Sequence, residues 1–279
     1  MKKKILISTG GSGGHVVPAT ILYQHLKDLN EVSMTCDNRG LKFLNQKDYD
    51  LTIFNINPFK TNFFLLPLNI FKILVLTIKS FIFLKKKKTE VLISTGGYMS
   101  LPFCLASRLL NIKLYLFEPN IVIGRSNKLF LRYCKKIFCY SDKIKNFPKN
   151  QKNKIEIIPP LLRKKFYELN KTKTINDQIK LLVIGGSQGA KIFDTLIKNS
   201  IVKLSKKYKF KVYQQSNINN FSSIKKTYQE NKIDYELFEY NEDVSIFMDK
   251  SNLCITRAGA TTLAELVFLN LPHVAIPLP

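Results

Sequence analysis

Two segments of this chain follow one pattern: ILISTGGSGGHVVPATIL (Ile5–Leu22) and LLVIGGSQGAKIFDTLI (Leu181–Ile197). In each, a short apolar run leads into a glycine-rich loop carrying a serine, and an amphipathic stretch follows. An apolar run of that length predicts a strand buried on both faces of a parallel sheet, and the stretch after it a crossover helix. Glycines at the junction let the backbone turn sharply and approach a ligand closely. The helix start offers unpaired N–H groups and the positive end of its dipole to an anion. The repeat therefore predicts an α/β chain of two Rossmann-like domains, each with a phosphate-sized site at the carboxyl ends of its strands.

The intervening sequence fits that plan. VLISTGGYMSLPFCLASRLL (Val91–Leu110) repeats strand, glycine turn and helix. Strands are predicted at Val32–Cys36, Lys113–Phe117, Lys136–Tyr140 and Ile155–Ile158, with polar, irregular sequence up to about residue 60. Pro159-Pro160 suits neither a helix interior nor a central strand, so the domain boundary is expected there. This gives domains 1–160 and 161–279. The second half restarts with a strand at Ile179–Ile184 and continues through strands at Phe210–Tyr213, Tyr235–Phe238, Leu253–Thr256 and His273–Pro277. Helices are predicted at Ile218–Asn231, Val244–Asp249 and Thr261–Leu269. Ending on a strand leaves one sheet face without its covering helix, so the second domain is expected to be incomplete.

Charge narrows the partners. With 44 basic and 20 acidic residues the formal charge is +24, which suits nucleic acid, an anionic membrane surface or phosphorylated substrates. Nucleic acid fares poorly, because the aromatic residues sit in apolar runs rather than alternating with basic ones, and compositional drift accounts for part of the excess. The five cysteines form no Cys-x-x-Cys pair, which argues against a zinc site or a disulfide framework and fits a reducing cytosol. The apolar run after Met-Lys-Lys-Lys is too short for a secretory signal. Phe63–Leu84 is the most hydrophobic stretch, and Lys72, Lys79 and Lys86 recur every seven residues along one face of a helix through it. Interfacial docking, a buried helix and a spanning helix are all consistent with that stretch; Pro67 and the internal lysines weigh against spanning.

Three places can carry chemistry. His15 sits where the first glycine loop becomes helix; it can act as a base near neutral pH, donate to a phosphate, or simply cap and pack. Gly185-Gly186-Ser187-Gln188-Gly189 reads as a phosphate cradle, with main-chain N–H groups and the Ser187 hydroxyl as donors. Glu265, shortly after Arg257-Ala258-Gly259-Ala260, can accept from vicinal ribose hydroxyls or merely complement a helix N-terminus. Two such domains facing across a cleft suit a transferase that uses a nucleotide-activated donor.

GGSGGHVVPA, STGGYMSLP, EPNIVIGRSNK, VIGGSQGAK and TRAGATTLAE together resemble the MurG family of N-acetylglucosaminyltransferases, in that family's order and spacing across nearly the whole chain. The resemblance implies the two-domain GT-B fold and inverting transfer of N-acetylglucosamine from UDP-N-acetylglucosamine to a polyprenyl-diphosphate-linked acceptor, converting lipid I to lipid II in peptidoglycan synthesis. It implies a peripheral enzyme at the cytoplasmic face of the inner membrane, with no cofactor and no metal. By position it places Ser12, Gly13 and Gly14 where donor and acceptor phosphates meet, with His15 beside them as candidate base. It places Asn120 in the cleft, Arg163 and Ser187 with Gln188 at the donor, and Asn241 where uracil is read through the backbone. Ala260, Thr261, Thr262, Leu263 and Ala264 would wrap ribose and diphosphate, with Glu265 on the ribose hydroxyls. The chain departs from the family at Phe117, at Pro119 and at Pro160-Leu161-Leu162, and the family's glutamine loop and closing helices beyond Pro277 have no counterpart. The alternatives are another GT-B glycolipid glycosyltransferase and an inactive nucleotide-binding remnant.

Overall fold

A computed structural model describes residues 2–54, 66–169, 178–185 and 192–277. The chain divides into two compact units, Met1–Leu161 and Leu162–Pro279. Leu161 stays with the first because its N–H donates to the Tyr140 hydroxyl at 3.2 Å.

The first unit is built on seven parallel strands: β1 (Lys4–Ser8), β2 (Glu31–Cys36), β3 (Leu51–Ile53), β4 (Val91–Ser94), β5 (Lys113–Glu118), β6 (Lys136–Cys139) and β7 (Ile155–Ile157). Their order is β3-β2-β1-β4-β5-β6-β7. The strands nearest the centre are the most apolar, since helices cover both faces of a parallel sheet. Leu6, Ile7, Leu92 and Leu116 are accordingly buried. Strand β3 lies inside the stretch expected to be irregular. Its three residues are too few to show a period, and it forms because Thr52 and its neighbours find an open edge on β2.

Helix α1 (Gly13–Leu26) crosses from β1 to β2. Helix α2 (Leu66–Lys86) precedes β4, α3 (Ser100–Leu109) lies between β4 and β5, and α4 (Arg125–Phe130) follows β5. Helix α2 packs on α3 through a face that includes Thr77, Ser80 and Leu84, all buried. Around Leu84 the core gathers Phe103, Leu92, Leu114 and Phe130. Phe71, Leu74, Ile78 and Ile82 point the other way and are exposed. The helix is thus apolar on both faces, while only one meets the core. Among the described residues no helix is long and apolar enough to cross a membrane.

The second unit repeats the plan with β8 (Ile179–Ile184), β9 (Phe210–Gln215), β10 (Asp234–Phe238), β11 (Leu253–Arg257) and β12 (His273–Ile276), in the order β10-β9-β8-β11-β12. On one face Val183 and Val212 of the sheet pack with Ile201 of α5 (Lys198–Ser205) and with Ile224 and Tyr228 of α6 (Ile218–Glu230). On the other, Leu182 and Tyr213 of the sheet pack with Met248 of α7 (Ser245–Lys250) and Leu266 of α8 (Ala260–Phe268).

The two faces of α2 should respond differently to truncation. Leu84→Ala is expected to lower the unfolding free energy by about 2–5 kcal/mol, as for other buried leucines. Ile78→Ala, at a side chain 61% exposed, should change it by less than about 0.5 kcal/mol. Denaturant titration followed by circular dichroism checks both, and equal losses would contradict this packing.

Candidate functional site

In an open parallel sheet, ligands bind outside the carboxyl ends of the strands, where the strand order reverses. That point falls between β1 and β4 in the first unit, and between β8 and β11 in the second. Strands β1, β4 and β11 each run into a glycine-bearing loop singled out from sequence, while the glycine segment that follows β8 in the sequence lies outside the described residues from 186 on. The repeated pattern therefore marks the switch point of each sheet.

In the first unit Ser12 is the N-cap of α1, but its side chain makes no capping bond. The N–H groups of Gly13 and Gly14 open the helix without intrahelical partners. His15 follows in the first turn, half-buried. Its Nδ1 lies 2.8 Å from the Thr95 carbonyl oxygen in the loop after β4. A carbonyl only accepts, so Nδ1 carries the proton of that bond, and in the neutral ring Nε2 holds the lone pair. The imidazole packs on Gly96 and Gly97, whose φ values are +91° and +82°. A Cβ at Gly96 would lie 3.2 Å from Cε1, and one at Gly97 3.3 Å from Cδ2. Both glycines are needed twice over, for the backbone conformation and for the room the ring occupies.

The third loop of this unit is organised by a residue that sequence reading quoted without assigning it a role. Glu118, at the end of β5, is 3% exposed. Its Oε1 accepts from the Asn120 side-chain amide at 3.0 Å, and its Oε2 accepts from Gly124 N–H at 2.8 Å and from the Asn127 amide at 3.0 Å. A Cβ on Gly124 would stand 3.1 Å from Oε2. Asn120 itself is exposed, so the carboxylate holds it at the rim of its own loop. The available signal was a glutamate closing an otherwise apolar strand, directly before Pro119.

In the second unit Arg163 and Glu265 are brought together across 102 residues of sequence as a buried ion pair, Nη1 donating to Oε1. Glu265 is 1% exposed and Arg163 9%. Burial pushes the Glu265 carboxyl above its usual range, against the pull of Arg163. Burial also opposes the Arg163 charge, but Glu265 and the nearby Tyr240 and Glu242 outweigh it and hold the guanidinium firmly protonated. Burial pushes the Tyr240 phenol up to about 12. Asn241 is exposed and its Oδ1 accepts from Asp243 N–H at 2.8 Å. Lys165 meets Asp243 at 2.5 Å. Ala260, Thr261, Thr262, Leu263 and Ala264 form the half-buried first turns of α8, which Gly259 opens with no side chain to cap it. Ser187 and Gln188 lie outside the described residues. No group of three or more His, Cys, Asp or Glu side chains is placed to hold a metal among the described residues.

Removing one member of a buried ion pair strands the other. Glu265→Ala is accordingly expected to cost about 3–5 kcal/mol of stability. Denaturant melts of the chain read the loss directly, and a cost below about 1 kcal/mol, the value of a solvent-screened pair, would show that Arg163 and Glu265 are not paired in solution.

The Glycosyltransferase family 28 N-terminal domain matches residues 5–139 and the corresponding C-terminal domain residues 180–279. A Pelagibacter ubique protein named UDP-N-acetylglucosamine–N-acetylmuramyl-(pentapeptide) pyrophosphoryl-undecaprenol N-acetylglucosamine transferase is 61% identical over all 279 residues, which span 78% of its length. A Rickettsia canadensis protein of the same name is 34% identical, covering 99% of this chain and 79% of its own. Among solved structures, Acinetobacter baumannii MurG superposes with a TM-score of 0.73 at 23% identity, covering 99% of this chain and 80% of that one. A UDP-GlcNAc 2-epimerase from Neisseria meningitidis, bound to UDP-GlcNAc, gives 0.64 at 16% identity, with 98% and 82% covered. The two glycine-loop sheets are those of the GT-B fold, and the chain belongs to glycosyltransferase family 28.

Proposed function

We propose that this chain transfers N-acetylglucosamine from UDP-N-acetylglucosamine to the muramoyl sugar of a polyprenyl-diphosphate-linked pentapeptide acceptor, the step that makes lipid II from lipid I. The observation that carries this reading is the 61% identity, without truncation of this chain, to a relative named for that reaction. The second unit, with Arg163, Ser187, Gln188, Asn241 and Ala260 to Glu265, takes the nucleotide sugar. The first, with Ser12, Gly13, Gly14, His15 and Asn120, takes the acceptor.

The chemistry follows from the groups available. The acceptor hydroxyl oxygen attacks the anomeric carbon from the face opposite the leaving group, the bond to the diphosphate breaks, and UDP departs with the electron pair. The hydroxyl proton goes to a base. His15 suits that role because its Nδ1 is committed to Thr95, which orients the ring and leaves Nε2 to accept. Charge growing on the departing diphosphate is met by main-chain N–H groups at the start of α8.

Product formation from UDP-N-acetylglucosamine and a lipid I analogue, resolved by chromatography, tests the reading; absence of a glycosylated product would refute it. In the same assay His15→Ala is expected to lower turnover at least a hundredfold, in line with loss of a general base, with the donor KM little changed. Near-normal turnover would remove His15 from the mechanism.

A polyprenyl tail demands work at a bilayer, and α2 supplies a surface for it. Its outward stripe of Phe71, Leu74, Ile78 and Ile82 is bordered by Lys72, Lys79 and Lys86. An apolar face edged with lysines docks in the headgroup region of an anionic leaflet, where each cation near the surface adds about 1 kcal/mol. The protein should therefore float with vesicles containing phosphatidylglycerol and do so less in high salt, and Ile78→Ser should weaken the association. Recovery in the soluble fraction at low and high salt alike would exclude docking through this surface.

A further inference from the structure

The residue after β2 makes a contact that the site described so far does not use. Asp37 is 2% exposed. Its Oδ1 accepts from Gly11 N–H, in the glycine loop after β1, at 2.7 Å, and from Gly40 N–H at 3.1 Å. Its Oδ2 accepts from Nε of Arg39 at 2.7 Å, and Nη2 of the same guanidinium stands 2.6 Å from that oxygen as an ion pair. One buried carboxylate thus ties the loop between β1 and α1 to a guanidinium. The packing is close: a Cβ on Gly10 would stand 2.8 Å from Asp37 Oδ1, and one on Gly11 3.7 Å from Arg39 Nη2.

Arg39 nevertheless keeps 42% of its side chain exposed, and its Nη1 has no protein partner among the described residues. Neutralising Asp37 does not require this arrangement, since two main-chain donors already reach it and a lysine would supply the charge. The Nε hydrogen bond, with Nη2 held against the same oxygen, orients the guanidinium and with it the remaining N–H groups. Two residues along from Gly11, the N–H groups of Gly13 and Gly14 have no intrahelical partners, and the Ser12 hydroxyl makes no capping bond. A fixed guanidinium edge, unpaired amides and a helix N-terminus make a set of donors suited to a phosphate group.

We propose that Arg39 contacts the diphosphate of the polyprenyl-linked acceptor, and that Asp37 is the positioning residue that holds Arg39 and the glycine loop in one register. This rests on the functional reading above, in which the second unit takes the donor and leaves the first unit's glycine loop to the acceptor's diphosphate.

Direct binding to the full chain tests it without turnover. A soluble acceptor analogue, N-acetylmuramoyl pentapeptide on a short-chain polyprenyl diphosphate, is titrated calorimetrically, and UDP is titrated separately. Arg39→Ala should weaken analogue binding about tenfold or more, the loss expected for a charge-assisted contact, with UDP affinity within about twofold of wild type. Arg39→Lys should recover only part, because an ammonium lacks the fork that Asp37 orients. Asp37→Asn should weaken analogue binding with Arg39 still present, and adding it to Arg39→Ala should cost little more. Unchanged analogue affinity in Arg39→Ala overturns the inference, as does an equal loss for both ligands, which marks Arg39 as merely structural. Wild-type protein that binds UDP but not the analogue also overturns it. Wild type that binds neither brings down the functional reading, and this inference with it.

Discussion

A carboxylate buried where a parallel strand ends must be met by donors, because burial without partners is among the costliest things a fold can tolerate. In this chain that demand restrains the loops that matter. Beyond the last ladder bond, the segments after β2 and β5 have no regular hydrogen bonding to fix them. Asp37 and Glu118 supply the missing restraint by collecting N–H groups from those segments and, for Asp37, from the loop after β1. The glycines follow from the same constraint. Gly10 and Gly124 stand so close to a carboxylate oxygen that a methyl group would have to displace it. Loops this tightly specified present fixed main-chain amides, which is what recognition of a phosphate requires.

The same economy governs His15. Its ring rests on two glycines of the neighbouring loop and donates to that loop's carbonyl, so its tautomer is set by the β1–β4 junction rather than by any ligand. Parallel neighbours make this possible. They run their carboxyl ends out side by side, and register places Ser8 of β1 opposite Ser94 of β4. The glycine loops that begin one residue later therefore meet.

How much of this could be read from the sequence differs from element to element. The repeated strand–glycine–helix units were legible because apolar length, glycine clusters and helical period coincide there, and the strands they predict lie at the centres of both sheets. Strand β3 was not, since three residues carry no period and its existence depends on an open edge of β2. The hydrophobicity of α2 was plain, but which face meets the core depends on where α3 lies, and Thr77 and Ser80 are the polar residues that the buried side accepts. Glu118 and Asp37 were visible as acidic residues at strand ends, yet their partners are fixed by loop geometry that the residue types do not encode.

The Arg163–Glu265 pair is the least legible feature of all, because no local pattern links residues so far apart. It also refines the role the sequence suggested for Glu265. An isolated carboxylate this deeply buried would favour its neutral form and accept poorly from ribose hydroxyls. Arg163 opposes that shift and engages Oε1, leaving Oε2 as the acceptor on the same group. Tyr240, kept as a neutral phenol by its burial, closes on Arg163 without adding a competing charge. In the proposed donor role arginine and glutamate act on a nucleotide as one unit, the cation orienting the carboxylate it pairs with. The two proposed donor contacts thus become a single requirement, in which neither side chain can be replaced without changing what the other presents.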